Sequence, residues 1–147
     1  NAFIPEAVVL PILVFVGISS YSQAFEVVDR KYFPAVIMAS LPVVMDFIVD
    51  NMREGALPGF MAFDPGSAFV GLLVGCVFVF IIDNNWKNAS ITNAAALALT
   101  GIGMIHSPGI LGTAAYAPDM GFVQVYIVLM IVFAVMHFVG FNQKKTA

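Results

Sequence analysis

The sequence predicts an all-α integral membrane protein of about five transmembrane helices. Three observations predict it. Hydrophobic residues fill 61% of the 147 positions, charged residues only 10%, and the mean hydropathy is +0.95. A soluble domain carries about 25% charged residues, because polar side chains must cover its surface. Second, the few charges cluster between long apolar runs, each close to the ~20 residues that cross ~30 Å of hydrocarbon. Third, no run alternates apolar and polar residues with the period of a membrane strand.

The elements follow in order. Ala7 to Phe25 carries no charge, and Pro11 lies near its start, where a missing N–H costs least. Phe33 to Val49 is shorter and less clean, with Pro34 at a first helical position, Pro42 in the middle and Asp46 near the end. The expectation is a short, Pro-interrupted helix, kinked or broken, whose freed backbone groups are buried against protein. Pro65 to Ile82 is closed by Asp83-Asn84-Asn85. Ala89 to His106 is stopped by the breaker cluster Ser107-Pro108-Gly109. Met120 to Val139 ends at Gly140 and the polar tail Asn142-Gln143-Lys144-Lys145.

Orientation follows from Lys and Arg. With five spans, Arg30, Lys31, Lys87, Lys144 and Lys145 fall on one side of the membrane, and only Arg53 falls on the other. Cytoplasmic loops carry the excess of positive charge. The C-terminus is therefore expected in the cytoplasm and Asn1 outside, in a multi-pass protein of the cell (inner) membrane. Losing or adding a span would spoil the split.

Other classes fall on the same composition. Six Lys and Arg against nine Asp and Glu leave no basic footprint for nucleic acid. A single cysteine, Cys76, excludes a disulfide framework and any multi-cysteine metal site. The opening Asn1-Ala2-Phe3-Ile4-Pro5-Glu6 lacks the basic start of a signal peptide. It also lacks Met, which fits either a processed chain or the C-terminal piece of a longer polypeptide, and the second is the expectation. No Ser/His/Asp arrangement, phosphate-cradling loop or metal cluster is present, so neither an enzyme nor a cofactor is expected.

Few residues remain that could carry chemistry. Asp46 and Asp50 are four apart and share a face at the exit of the second helix. Ionisable groups within spans often mark ion or proton routes, which makes both candidates for a substrate or ion pathway. The alternative is a hydrated carboxylate about one turn from the outer interface. His106, before Ser107-Pro108, is expected at a helix C-terminus, where a donated N–H or an imidazolium is favoured and a satisfied cap is the usual result. His137 should lie near headgroup level, and two distant histidines are too few for zinc. Ser67, Gly71 and Gly75 make a small-residue row on one face of the third helix, which lets helix backbones approach in lipid. Asn88-Ala89-Ser90 matches the glycosylation acceptor pattern but falls on the expected cytoplasmic side.

Ile4-Pro5-Glu6, Leu10-Pro11-Ile12-Leu13-Val14-Phe15-Val16-Gly17-Ile18 and Ser22-Gln23-Ala24-Phe25 together resemble a late segment of the xanthine/uracil/vitamin C permeases, the nucleobase–ascorbate transporters. Phe33-Pro34-Ala35-Val36 through Leu41-Pro42 resembles the next helix of bacterial members, and Gly103-Met104-Ile105-His106-Ser107 resembles their Gly-x-x-His-Ser helix end. The resemblance implies a symporter of fourteen helices in two inverted seven-helix repeats, divided into a core and a gate domain. Residues 1–84 are then similar to the last three gate helices, and residues 85–147 to an added C-terminal hairpin with a cytoplasmic tail, which departs from the basic pattern. The family's substrate-contacting residues lie on core helices that this sequence does not contain, so none is carried over. The implied partners are the lipid bilayer, an N-terminal core domain of the same polypeptide, a second subunit and a small solute such as xanthine or uracil. The rival expectation is a small self-contained membrane scaffold or subunit without transport.

Overall fold

The structure, a computed structural model, describes residues 6–52 and 66–146. Five α-helices run through them: α1 Glu6–Val27, α2 Phe33–Met52, α3 Ser67–Ile82, α4 Trp86–Ile102 and α5 Met120–Thr146. A 3-10 turn, Arg30–Tyr32, leads into α2. No described residue is in a strand. Arg30–Val49 and Met120–Gly140 are long and apolar enough to cross a membrane, and the 16-residue α3 is apolar but shorter.

Helix α4 starts at Trp86, three residues before the expected Ala89, and three larger differences from expectation stand out. Helix α2 is neither short nor broken: it is continuous for 20 residues through Pro42, which is buried. Pro42 deprives the Met38 carbonyl of its helical donor. Helix α3 packs alongside, and α2 continues despite the lost bond. Helix α4 ends four residues before His106. Gly103 takes a left-handed conformation (φ +83°), its N–H bonds the Thr100 carbonyl and the N–H of Met104 bonds that of Leu99. That closure satisfies the last carbonyls, and glycine adopts it without a Cβ penalty. Helix α5 does not stop at Gly140 but continues to Thr146, since one glycine costs a helix only about 1 kcal/mol and lysines suit its last turn.

Helix α3 turns into α4 through the same kind of closure. Asn84, at φ +54°, replaces glycine; its N–H bonds the Ile81 carbonyl and the N–H of Asn85 bonds that of Phe80. Asn85 then accepts from the Asn88 N–H at 3.3 Å and starts α4. Consecutive helices α2–α3, α3–α4 and α4–α5 pack side by side, while α1 touches the rest mainly where Phe25 meets Phe33 edge-on, 4.8 Å between centroids.

The buried interior is small, and beside Val70, Ile105, Tyr126 and Phe133 it holds few large side chains. Many of the buried positions hold small or polar residues: Ala35, Ser67, Ala89, Asn93, Ala96 and Thr100. Large apolar side chains face outward instead, Phe15 at 71% exposure and Phe138 at 68% among them.

Candidate functional site at the Asp46 end of the bundle

Helix α2 and α3 run antiparallel along a seam of small residues. A Cβ on Gly71 would collide with the Ala39 carbonyl oxygen, and one on Gly75 would lie 2.9 Å from the Ala39 Cβ. Glycine at both positions lets the backbones touch, and close contact is the main attraction between helices in lipid. Ser67, Gly71 and Gly75 therefore all face α2.

The seam ends in a carboxylate at each extremity. At one, Ser67 Oγ donates to Asp46 Oδ2 at 2.5 Å, and Ser67 is buried. Ser67 opens α3, and the preceding Gly66 supplies no side-chain cap. Asp46 thus brings a negative charge from the neighbouring helix to the N-terminus of α3, where the helix dipole favours one. Asp50 follows one turn later in α2, with its side chain outside the described residues.

Gly66 joins this corner to the loop after α4. Its φ is +83°, and a Cβ there would meet the Met104 carbonyl oxygen at 2.7 Å and Ile105 Cγ2 at 2.8 Å. Ile105 is fully buried, and His106 beside it is 2% exposed at φ +56°. His106 is therefore a loop residue and not the expected helix cap, because Gly103 has already closed α4. Its Nε2 lies 2.9 Å from the Tyr126 hydroxyl, and its ring stacks on Phe122 at 3.9 Å. Its carbonyl accepts from the Asp119 N–H at 2.9 Å, while the Asp119 carboxylate accepts from the Gly121 N–H at 2.7 Å and caps α5. Ser107 Oγ donates to the Gly109 carbonyl at 2.7 Å and accepts from the Ala117 N–H at 3.2 Å. Every buried side-chain nitrogen and oxygen among the described residues has a partner. This corner is a packed junction of α2, α3, α5 and the loop after α4, with its buried polar side chains paired.

At the other extremity Asp83, just past α3, accepts from Lys31 Nζ at 2.9 Å and from the Tyr32 hydroxyl at 3.0 Å and 2.9 Å. Lys31 Nζ also lies 4.4 Å from the centre of the Tyr32 ring. The hydrogen bond from Lys31 first, and that from Tyr32 second, hold the Asp83 carboxyl below its ordinary value.

His137 is exposed on α5 beside the Phe138 ring, and Cys76 is half-buried between α2 and α3. Among the described residues no three His, Cys, Asp or Glu gather where they could hold a metal. Sequence reasoning missed Tyr126 and Asn93. Asn93 Nδ2 donates to the Tyr126 carbonyl at 2.6 Å inside the α4–α5 contact. Their signal was weak, because Asn93 follows Thr92 and Ser90 in a stretch rich in small polar residues, and Tyr126 lies two residues after Gln124, so neither stands out by sequence. The Lys31–Asp83 pair was legible, since the alternation of spans puts both residues at one end. The chain matches no protein-family model, no curated protein and no solved structure.

Proposed function

We propose that this chain is a multi-pass membrane segment forming the C-terminal, gate-side part of a secondary active transporter for a nucleobase such as xanthine or uracil, or a similar small polar solute. The observation that carries the membrane part is the number of large apolar side chains left exposed, Phe15, Ile18, Leu72, Ile131 and Phe138 among them, while many buried positions hold small or polar residues. In water such a surface would drive aggregation; in hydrocarbon it costs nothing, and buried polar groups then serve as interhelical links. The transporter part rests on the resemblance of the Pro11, Gln23-Ala24-Phe25 and Phe33-Pro34 segments to nucleobase permeases.

In this reading a core domain carries the solute and moves against the gate around a midplane site. The residues here supply the gate: an apolar wall, stiffened by the Gly71/Gly75 seam and clamped at its ends by Asp46–Ser67 and Lys31–Asp83. The contact with Ser67 supports a clamping role for Asp46 over a place on the solute path. The exposed apolar sides of α1 suit contact with the core or with a second subunit. The rival is a membrane scaffold without transport, which the same apolar surface would serve. Proteoliposomes separate them. The longer polypeptide containing this sequence should take up labelled uracil or xanthine with saturation, while residues 1–147 alone should not. Saturable uptake by residues 1–147 alone would overturn the gate reading.

A further inference from the structure

The segment between α4 and α5 folds back on α4. The Leu111 N–H bonds the Ile102 carbonyl at 2.8 Å, and the Tyr116 hydroxyl donates to the Gly101 carbonyl at 2.7 Å. A Cβ on Gly103 would collide with the Gly109 carbonyl oxygen and lie 3.1 Å from the Tyr116 ring. These contacts fix Leu111 level with the last turn of α4.

The length of α4 sets the depth of that level in a bilayer. Lys87 stands in the first turn of α4, next to the turn whose Asp83 is paired with Lys31. This end must lie at an interface, because charges are costly at hydrocarbon depth. From Lys87 to Ile102 the helix rises about 22 Å at 1.5 Å per residue, against a hydrocarbon layer of ~30 Å. Ile102, and Leu111 with it, therefore stops several ångströms below the opposite boundary, and any tilt of α4 leaves both deeper.

The chemistry of the segment suits that depth. Residues 103–118 contain no Asp, Glu, Lys or Arg. Met104, Ile110 and Leu111 are 43%, 55% and 62% exposed, beside Ile102 at 44%. All three hydroxyls are turned onto carbonyls of the segment or of α4: Ser107 onto Gly109, Thr113 onto Ile110 and Tyr116 onto Gly101. The N–H groups of Thr113, Tyr116, Ala117 and Asp119 also find their acceptors within the segment. Irregular backbone survives near hydrocarbon only where the protein itself satisfies its polar groups. With its hydroxyls already used, the segment offers a partner protein no side-chain donor, and what it presents outward is apolar.

We propose that this segment is a lipid anchor, lying in the boundary layer of the leaflet opposite the Lys31–Asp83 end with Ile110 and Leu111 among the acyl chains. Apolar groups of surface-lying elements enter that layer by about 5–10 Å, which matches the shortfall of α4. The inference rests on the membrane reading and not on the identity of any transported solute.

The test puts a nitroxide spin label at Leu111→Cys or Ile110→Cys in the chain, on a Cys76→Ser background, in phosphatidylcholine liposomes. Both positions are exposed, so either label is carried without repacking, and each checks the other. Reference labels go to Ile131→Cys, on an exposed face of α5, and to Lys145→Cys in the polar tail. Power saturation compares collisions with oxygen, which concentrates in hydrocarbon, and with a water-soluble nickel chelate. The labels at 110 and 111 should follow Ile131, open to oxygen and shielded from nickel, and Lys145 should show the reverse. Nickel access at 110 and 111 equal to that at Lys145 would place the segment in water and overturn the proposal. Shielding from both reagents would reveal a protein surface over it and overturn it equally. Nickel access at Ile131 would instead overturn the membrane reading itself.

Discussion

Asp46 and Asp83 sit at opposite ends of the α2–α3 pair, and each is held by donors from across the pair. Ser67 Oγ is the donor that Asp46 Oδ2 is seen to use. Ser67→Ala leaves a half-buried carboxylate without it and should destabilise by about 1.5–3 kcal/mol, the range for hydrogen bonds to charged groups. In an Asp46→Ala background the same change should cost little. A double-mutant cycle in detergent measures the coupling, and additive effects would show that the pair contributes nothing. Asp83 makes a prediction about pH. Its folded-state pKa is lowered from 3.8, by Lys31 first and Tyr32 second, so its contribution is complete above the unfolded value and lost as pH falls through the folded one. Asp83→Asn should lower the Tm at neutral pH, and the gap to wild type should close on acidification below about pH 4. A gap that persisted at about pH 2 would mean that the carboxylate's charge is not what holds the turn.

At the scale of elements, the seam decides how α3 lies. The Gly71 Cα faces the Ala39 carbonyl oxygen, so any side chain there must push the two backbones apart. Gly71→Leu should cost about 1–3 kcal/mol, as overpacking does in a dense interior. Leu72, one residue on, is 64% exposed, and Leu72→Ile conserves its volume, so that change should be close to neutral. Thermal unfolding in detergent compares them, and equal midpoints would mean that α3 does not use this face. The α4–α5 pair is held differently. Asn93 reaches the Tyr126 carbonyl, and Trp86 lies 6.3 Å from Phe133, which sets the antiparallel register by one polar and one aromatic contact. A single hydrogen bond contributes only about 0.5–1.5 kcal/mol net, so register here depends on several contacts together.

For the whole molecule, helix direction alternates along α2, α3, α4 and α5. The Lys31–Asp83 contact and the short α3–α4 turn therefore put Arg30, Lys31 and Lys87 at one end of the bundle. Helix α5 passes Trp86 at Phe133 and runs on toward that same end, carrying Lys144 and Lys145 with it. By the distribution of Lys and Arg, that end should be cytoplasmic. Cysteine placed at Lys145 on a Cys76→Ser background should resist an impermeant maleimide in intact cells and react after permeabilisation. Labelling in intact cells would invert the assigned orientation.

The sequence by itself determined that the chain is helical and where the five helices of the described residues lie, to within a few residues at most ends. Those properties are local: hydrophobic runs set a helix's extent, and the Asp83-Asn84-Asn85 turn reads directly as a stop. The row Ser67/Gly71/Gly75 was equally legible, because spacing by four places residues on one face whatever that face meets. Tertiary structure alone decided the partner of that face, Ala39 and Ala35 of α2, and the survival of α2 through Pro42, which depends on neighbouring groups outside the local pattern. It also decided His106. Sequence order placed it at a helix end beside Ser107-Pro108. The earlier closure at Gly103 released it into the loop, where burial obliged it to find Tyr126, twenty residues away, as a partner.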